Sequence, residues 1–188
     1  LNPSANGLAL TLLWTTLSAF DVANEGRTPL APLVHVHELR EGGEVTSDGN
    51  VKVTAALVDH PPVVPAFAYR FDARDRSIVI SGDTAPSKNL EKLAAGADVL
   101  VHSVMYPSAV DRLVARVPNA AALKASILAH QTSAEDAGRV AQRAGVKTLV
   151  LSHFVPPDDP EVTVTMWREA ASRHFRGTVI VGRDLLEI

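Results

Sequence analysis

Ser77-Ile78-Val79-Ile80-Ser81-Gly82-Asp83-Thr84 sets a short apolar, β-branched run directly before a Gly-Asp-Thr turn. The run reads as a strand that the turn closes. Two other stretches end in the same manner. Val53-Thr54-Ala55-Ala56-Leu57-Val58 runs into Asp59-His60, and Leu149-Val150-Leu151 runs into Ser152-His153. A buried strand that emerges into a loop fixes the first residue beyond it, so sites on α/β scaffolds are commonly built there.

Outward from these strands, Ala66 to Phe71 pairs with Ser77 to Ser81 around the charged loop Asp72-Ala73-Arg74-Asp75-Arg76. Ser87 to Ala95 reads as a short helix and Asp98 to His102 as a buried strand. Helices are expected over Ala120 to Ala129 and Ser133 to Ala144, the second capped by Ser133, with Asp136 as a weaker partner than Glu or Gln. Gly145 ends that helix, and Val146 to Ser152 is a continuous apolar strand. Val162 to Phe175 reads as a helix and Thr178 to Gly182 as a last strand. Towards the start, Leu8 to Phe20 reads as an apolar helix, Asn24 to Pro32 as a polar loop, and Leu33 to Leu39 as a strand ended by Gly42-Gly43. Alternating helices and strands make the class α/β, with helices covering a sheet. No repeat or interdomain linker is visible, so residues 1–188 read as a single domain.

Composition narrows the chemistry. The 188 residues are 46% hydrophobic but only 5% aromatic, so Val, Leu, Ile and Ala must build the core. The formal net charge of −3 and the lack of a Lys/Arg run disfavour a broad basic face for nucleic acid. With no cysteine, any transition metal must be held by His and carboxylate. No apolar run is long enough for a membrane span, and a cytoplasmic location is the expectation. The chain starts at Leu1, which leaves a removed leader open.

His60, Asp83 and His153 form a ligand set suited to a borderline metal. Each has a plainer reading. A His after a strand is often a surface or satisfied histidine, and Gly-Asp-Thr is good turn chemistry. Spacing alone leaves both readings open.

The ordered series is more specific. Val58-Asp59-His60, Ala66-Phe67-Ala68-Tyr69-Arg70, Ser81-Gly82-Asp83-Thr84, Val101-His102-Ser103, His130-Gln131-Thr132 and Leu151-Ser152-His153-Phe154 together resemble the metallo-β-lactamase superfamily. The likeness is to the branch containing ribonuclease Z and arylsulfatase-like hydrolases. It implies the later portion of an αββα sandwich and a hydrolase of phosphate, sulfate or carboxylic esters that uses a metal-activated water. It further implies two zinc ions, with manganese or iron as substitutes. His60 would bind one metal, His153 the other, and Asp83 would bridge them. His130, at the opening of a helix, would donate a hydrogen bond or proton to the departing oxygen. His102 would be structural. Ser103 stands where relatives usually carry Glu, which removes a charged support for His130.

The family's His-x-His-x-Asp-His motif is not in this chain. The nearest imitation, His35-Val36-His37-Glu38-Leu39, lacks its continuation and reads as an ordinary exposed strand. The domain therefore reads as incomplete, its metal ligands too few for tight binding, and 188 residues alone are expected to turn over slowly or not at all. An uncovered sheet face would call for a partner chain, so a homo-oligomer, most simply a dimer, is expected. A small-molecule ester is the favoured substrate. A tRNA 3′-processing endonuclease is less favoured, because only Asp72 to Arg76 separates the two strands between which such enzymes commonly insert a gripping arm. The alternative to an enzyme is an inert remnant or assembly module.

Overall fold

The computed structural model describes Gly26 and residues 37–118, 120–157 and 159–188. Arg40–Ile188 forms one compact unit, and Leu1–Leu39 forms another. The helix expected over 8–20, the loop over 24–32 and His35-Val36 lie outside the described residues. Of the strand expected over 33–39, residues 37–39 are described and join no ladder.

Among the described residues, seven strands form one sheet in sequential order: β1 Gly43–Ser47, β2 Val51–Leu57, β3 Phe67–Ala73, β4 Ser77–Ile80, β5 Val99–Met105, β6 Thr148–Val155 and β7 Thr178–Val181. β1 to β4 are an antiparallel meander, since short turns suffice to reverse the chain. From β4 to β7 every pairing is parallel, which requires crossovers. These carry the helices α1 Lys88–Leu93, α2 Pro107–Ala115, α3 Ala121–His130, α4 Ala134–Ala144 and α5 Val164–Ser172.

Parallel crossovers are right-handed almost without exception, so crossovers that all step the same way put their helices on one face. The register agrees. Val79, Leu100 and Leu149 lie side by side across β4, β5 and β6, all fully buried. They join Leu90 of α1, Val140 and Ala141 of α4 and Trp167 of α5 in one core. The opposite face presents Ile78 and Ile80, then Val99 and Val101, then Val150 and Ile180. Ile80 keeps 44% of its surface exposed. One helical layer on one sheet is the later half of the αββα sandwich, as expected.

Two elements depart from the sequence reading. β1 begins where Gly42-Gly43 was expected only to end a strand. It is exposed along its whole length, so it offers no apolar alternation to read. Three helices rather than two lie between β5 and β6. The additional one, α2, starts on Pro107, which costs nothing at a first helical position because that N–H has no intrahelical partner.

α4 shows why its sequence is helical. Ala134, Ala137, Gly138, Val140, Ala141 and Ala144 recur at helical spacing and are buried. Ser133 Oγ accepts from Asp136 N at 3.0 Å, and Gly145 ends the helix at φ +67°. A Cβ on Gly138 would lie 2.1 Å from the Ala171 carbonyl, so α4 and α5 pack backbone to backbone only because that residue is glycine.

Candidate metal centre

β2 delivers Asp59-His60 at the same end of the sheet to which β4 delivers Asp83. The His60 ring donates Nδ1–H to the carbonyl oxygen of His130 at 3.0 Å. That carbonyl belongs to the last residue of α3, where helix carbonyls lack intrahelical partners and favour a donor. The bond selects the His60 tautomer and leaves the Nε2 lone pair free for a metal. His130 thus ends a helix; the expectation that it opens one is corrected. Gln131 is its C-cap, with the extended backbone (φ −119°, ψ 153°) that a helix cannot continue.

The two rings form an edge-to-face pair with centroids 4.8 Å apart. Burial holds the His130 pKa below the usual histidine value. The nearby His60 lowers it further, while the Asp83 carboxylate works in the opposite direction. The shift favours the neutral ring, which still has one N–H to donate.

Asp83 follows Gly82, whose φ of +61° needs glycine; a Cβ there would also meet the Phe67 carbonyl at 2.8 Å. Its partner is His153, which approaches with Nδ1 3.2 Å from Oδ1. His153 is not simply the residue past a strand. β6 continues to Val155, and the β5–β6 register passes from Ser103–Ser152 to Val104–Phe154, skipping His153. The residue is a bulge with φ +46°, a left-handed conformation that a non-glycine side chain rarely adopts. The bulge re-aims the imidazole, leaving its side chain 59% exposed at the sheet end.

Two ligand atoms about 2.1 Å from a tetrahedral ion are about 3.4 Å apart. The His153–Asp83 separation of 3.2 Å fits that spacing. Among the described residues, however, no three His, Asp or Glu side chains gather closely enough to hold an ion by themselves. The expectation that residues 60, 83 and 153 meet at one spot resolves into two pairs, His60 with His130 and Asp83 with His153. His60 is held through Nδ1 by the carbonyl at the end of α3.

His102 is fully buried, and burial pushes its pKa down to about 4. Nδ1–H donates to the Ser103 carbonyl at 2.7 Å, and Nε2 has no partner among the described residues. Ser103 turns away from His130 altogether. Its Oγ donates to the Gly82 carbonyl at 2.9 Å, and its N–H donates to Ser81 Oγ at 3.1 Å. Sequence reasoning missed the buried hydroxyls of Ser81, Thr84 and Thr132. Two of them stood in view inside Gly-Asp-Thr and His-Gln-Thr, but nothing in the spelling shows that they bond to one another's loops.

Residues 12–154 match the profile of the Beta-lactamase superfamily domain. The chain belongs to the metallo-β-lactamase superfamily. Ribonuclease Z of Mycobacterium tuberculosis (strain ATCC 25618 / H37Rv) is 36% identical over 176 residues, 90% of this chain and 62% of that protein. Ribonuclease Z of Mycobacterium sp. (strain KMS) is 36% identical over 166 residues, 88% of this chain and 55% of that one. The chain thus spans roughly three-fifths of the length of these relatives. In fold it is similar to the metallo-beta-lactamase fold protein YhfI from Bacillus subtilis, with a TM-score of 0.57 at 20% identity over 87% of this chain and 60% of the other. It is also similar to the short form of human tRNase Z, with a TM-score of 0.50 at 19% identity over 78% and 45%.

These relatives correct one expectation. A small-molecule ester with nucleic acid disfavoured does not agree with relatives named for RNA and tRNA. The physical error lay in the use of net charge. A total of −3 averages over the chain, whereas a phosphate backbone responds to where cations sit. The short turn between β3 and β4, closed by Ala73 N to Arg76 O at 2.9 Å, likewise measures one connection only. No helix among the described residues is long and apolar enough to cross a membrane.

Proposed function

We propose that the protein is a metal-dependent endoribonuclease of the ribonuclease Z type that cleaves phosphodiester bonds of tRNA precursors. The observation that carries this reading is the bulged His153 held against Asp83, beside the His60–His130 pair, in a chain 36% identical to ribonuclease Z. His153 and Asp83 are the groups that would hold metal through a nitrogen and a carboxylate oxygen, and His60 would add Nε2. A metal ion bound there would supply Lewis-acid polarisation of the phosphodiester. Zinc is the ion this nitrogen and oxygen donor set favours.

The chain's own residues do the rest. His130 is half-buried beside the carboxylate end of the site and keeps a ring N–H. It would stabilise the departing oxygen by a hydrogen bond or by proton transfer. The His60 bond to its backbone carbonyl fixes the end of α3, and so fixes where that ring begins. Ser103 gives no charged support, so the His130 ring is oriented by packing against His60 and by Ser126 Oγ, 3.5 Å from its Nδ1.

The test is cleavage of a 3′-extended tRNA precursor by the full-length, zinc-loaded protein, with product ends mapped by sequencing. A single cut near the mature 3′ end, lost in Asp83→Ala, supports the proposal. Hydrolysis of bis-p-nitrophenyl phosphate with the precursor left intact would overturn it.

A further inference from the structure

We propose that Thr84 and Thr132 are positioning residues, two buried hydroxyls that lock the loops carrying His60, Asp83 and His130 into one rigid unit. The inference rests on the reading of those three residues as parts of the site.

Both threonines are fully buried. Thr84 Oγ1 accepts from the Asp59 N–H at 3.1 Å and sends its own proton to the Ala85 carbonyl at 2.7 Å. The Ala85 N–H returns to the Asp59 carbonyl at 2.7 Å, so the residue before His60 is bound twice to the loop after Asp83. Thr132 Oγ1 donates to the Thr84 carbonyl at 2.6 Å, and the Thr132 carbonyl accepts from Met105 N at 2.8 Å on β5. Thr132 lies two residues from His130, Thr84 one from Asp83 and Asp59 one from His60.

On the other side of Asp83, the hydroxyls of Ser81 and Ser103 both donate to the Gly82 carbonyl, at 2.6 and 2.9 Å. Asp83 is thereby suspended between two carbonyls, each held by a buried hydroxyl, while its own side chain stays one-third exposed toward His153. A threonine that only forms a turn bonds to its immediate neighbours. These bonds instead join segments 25 and 48 residues apart. Buried donors and acceptors with such partners define one geometry, because leaving any of them unpaired is costly. The arrangement does for the Asp83 loop what a histidine's second hydrogen bond does for its ring: it fixes the ligand before the ion arrives.

The experiment compares Thr84→Val, Thr132→Val and Thr84→Ser in the full-length protein. Zinc affinity is measured by chelator competition, imidazole nitrogen resonances by NMR without zinc, and stability by thermal unfolding. Both valine variants should bind zinc about 10–100-fold more weakly. They should also displace the imidazole resonances of His60 and His130 in the zinc-free protein, and Thr84→Ser should restore both. Lower unfolding temperatures with wild-type zinc affinity and wild-type imidazole resonances would show a merely structural role and overturn the inference. Should Thr84→Val fail to fold, Thr132→Val carries the same comparison, since it leaves the Asp59 donor satisfied. Wild-type protein that binds no zinc would overturn the reading of the site, while the zinc-free resonances would still decide the role of the hydroxyls.

Discussion

His153 Nδ1 lies 3.2 Å from Asp83 Oδ1, although the strands that carry them, β6 and β4, are separated in the sheet by β5. The bulge makes this possible. Without the extra residue, position 153 would stay in the pleat and its ring would not reach across β5.

The conformation at His153 sets up a trade between stability and metal binding. A left-handed non-glycine residue costs roughly 1–2 kcal/mol. His153→Gly should therefore leave the unfolding temperature unchanged or raise it, while reducing bound zinc. Asp83→Ala should abolish zinc binding by removing the carboxylate that faces His153. Metal content by mass spectrometry and calorimetric melting check both, and unchanged zinc in either variant would contradict the assignment.

His130 contributes through two separable groups. Its carbonyl anchors His60, and its ring faces the site. His130→Ala keeps the carbonyl, so zinc content should stay near wild type. Loss of the ring should lower kcat by about 10²–10⁴-fold, the usual range for a general acid or base. Single-turnover cleavage of a tRNA precursor measures this, and equal rates would remove the ring from the mechanism.

His102 predicts acid sensitivity of a definite sign. Its folded pKa of about 4 lies below the ordinary histidine value near 6.5, because burial disfavours the charged ring. Between these values the unfolded chain binds the proton and the folded chain does not. Its contribution is thus fully present above about pH 6.5 and is lost as pH falls toward 4, by ~3 kcal/mol in all. Urea unfolding of the zinc-free protein at pH 7.5 and 5 should show the fall, and His102→Met should flatten it. A wild-type midpoint that does not move between these pH values would show that the ring is not held neutral.

Most of the sheet was legible because its central strands are apolar runs closed by recognisable turns. β1 was not, since an edge strand exposed on both faces carries no alternation. The cap at Ser133 and the stop at Gly145 were legible because both are local backbone chemistry. The end of α3 was read to within one residue, at Ala129, but the membership of His130 in that helix was not, because nothing glycine-like marks the stop and α3 ends only where Gln131 turns extended.

From the sequence alone followed the class, the order of the motifs and the residue types available to a metal, because these depend on neighbours along the chain. The tertiary structure alone decided which side chains meet. His60 turned to a helix-end carbonyl, His153 reached Asp83 through a bulge, and Ser103 bonded to the Gly82 carbonyl instead of supporting His130. Each outcome depends on an orphan backbone group or a register shift between distant segments. No reading of local pattern contains that information, since partners far apart in sequence are chosen only when the sheet closes.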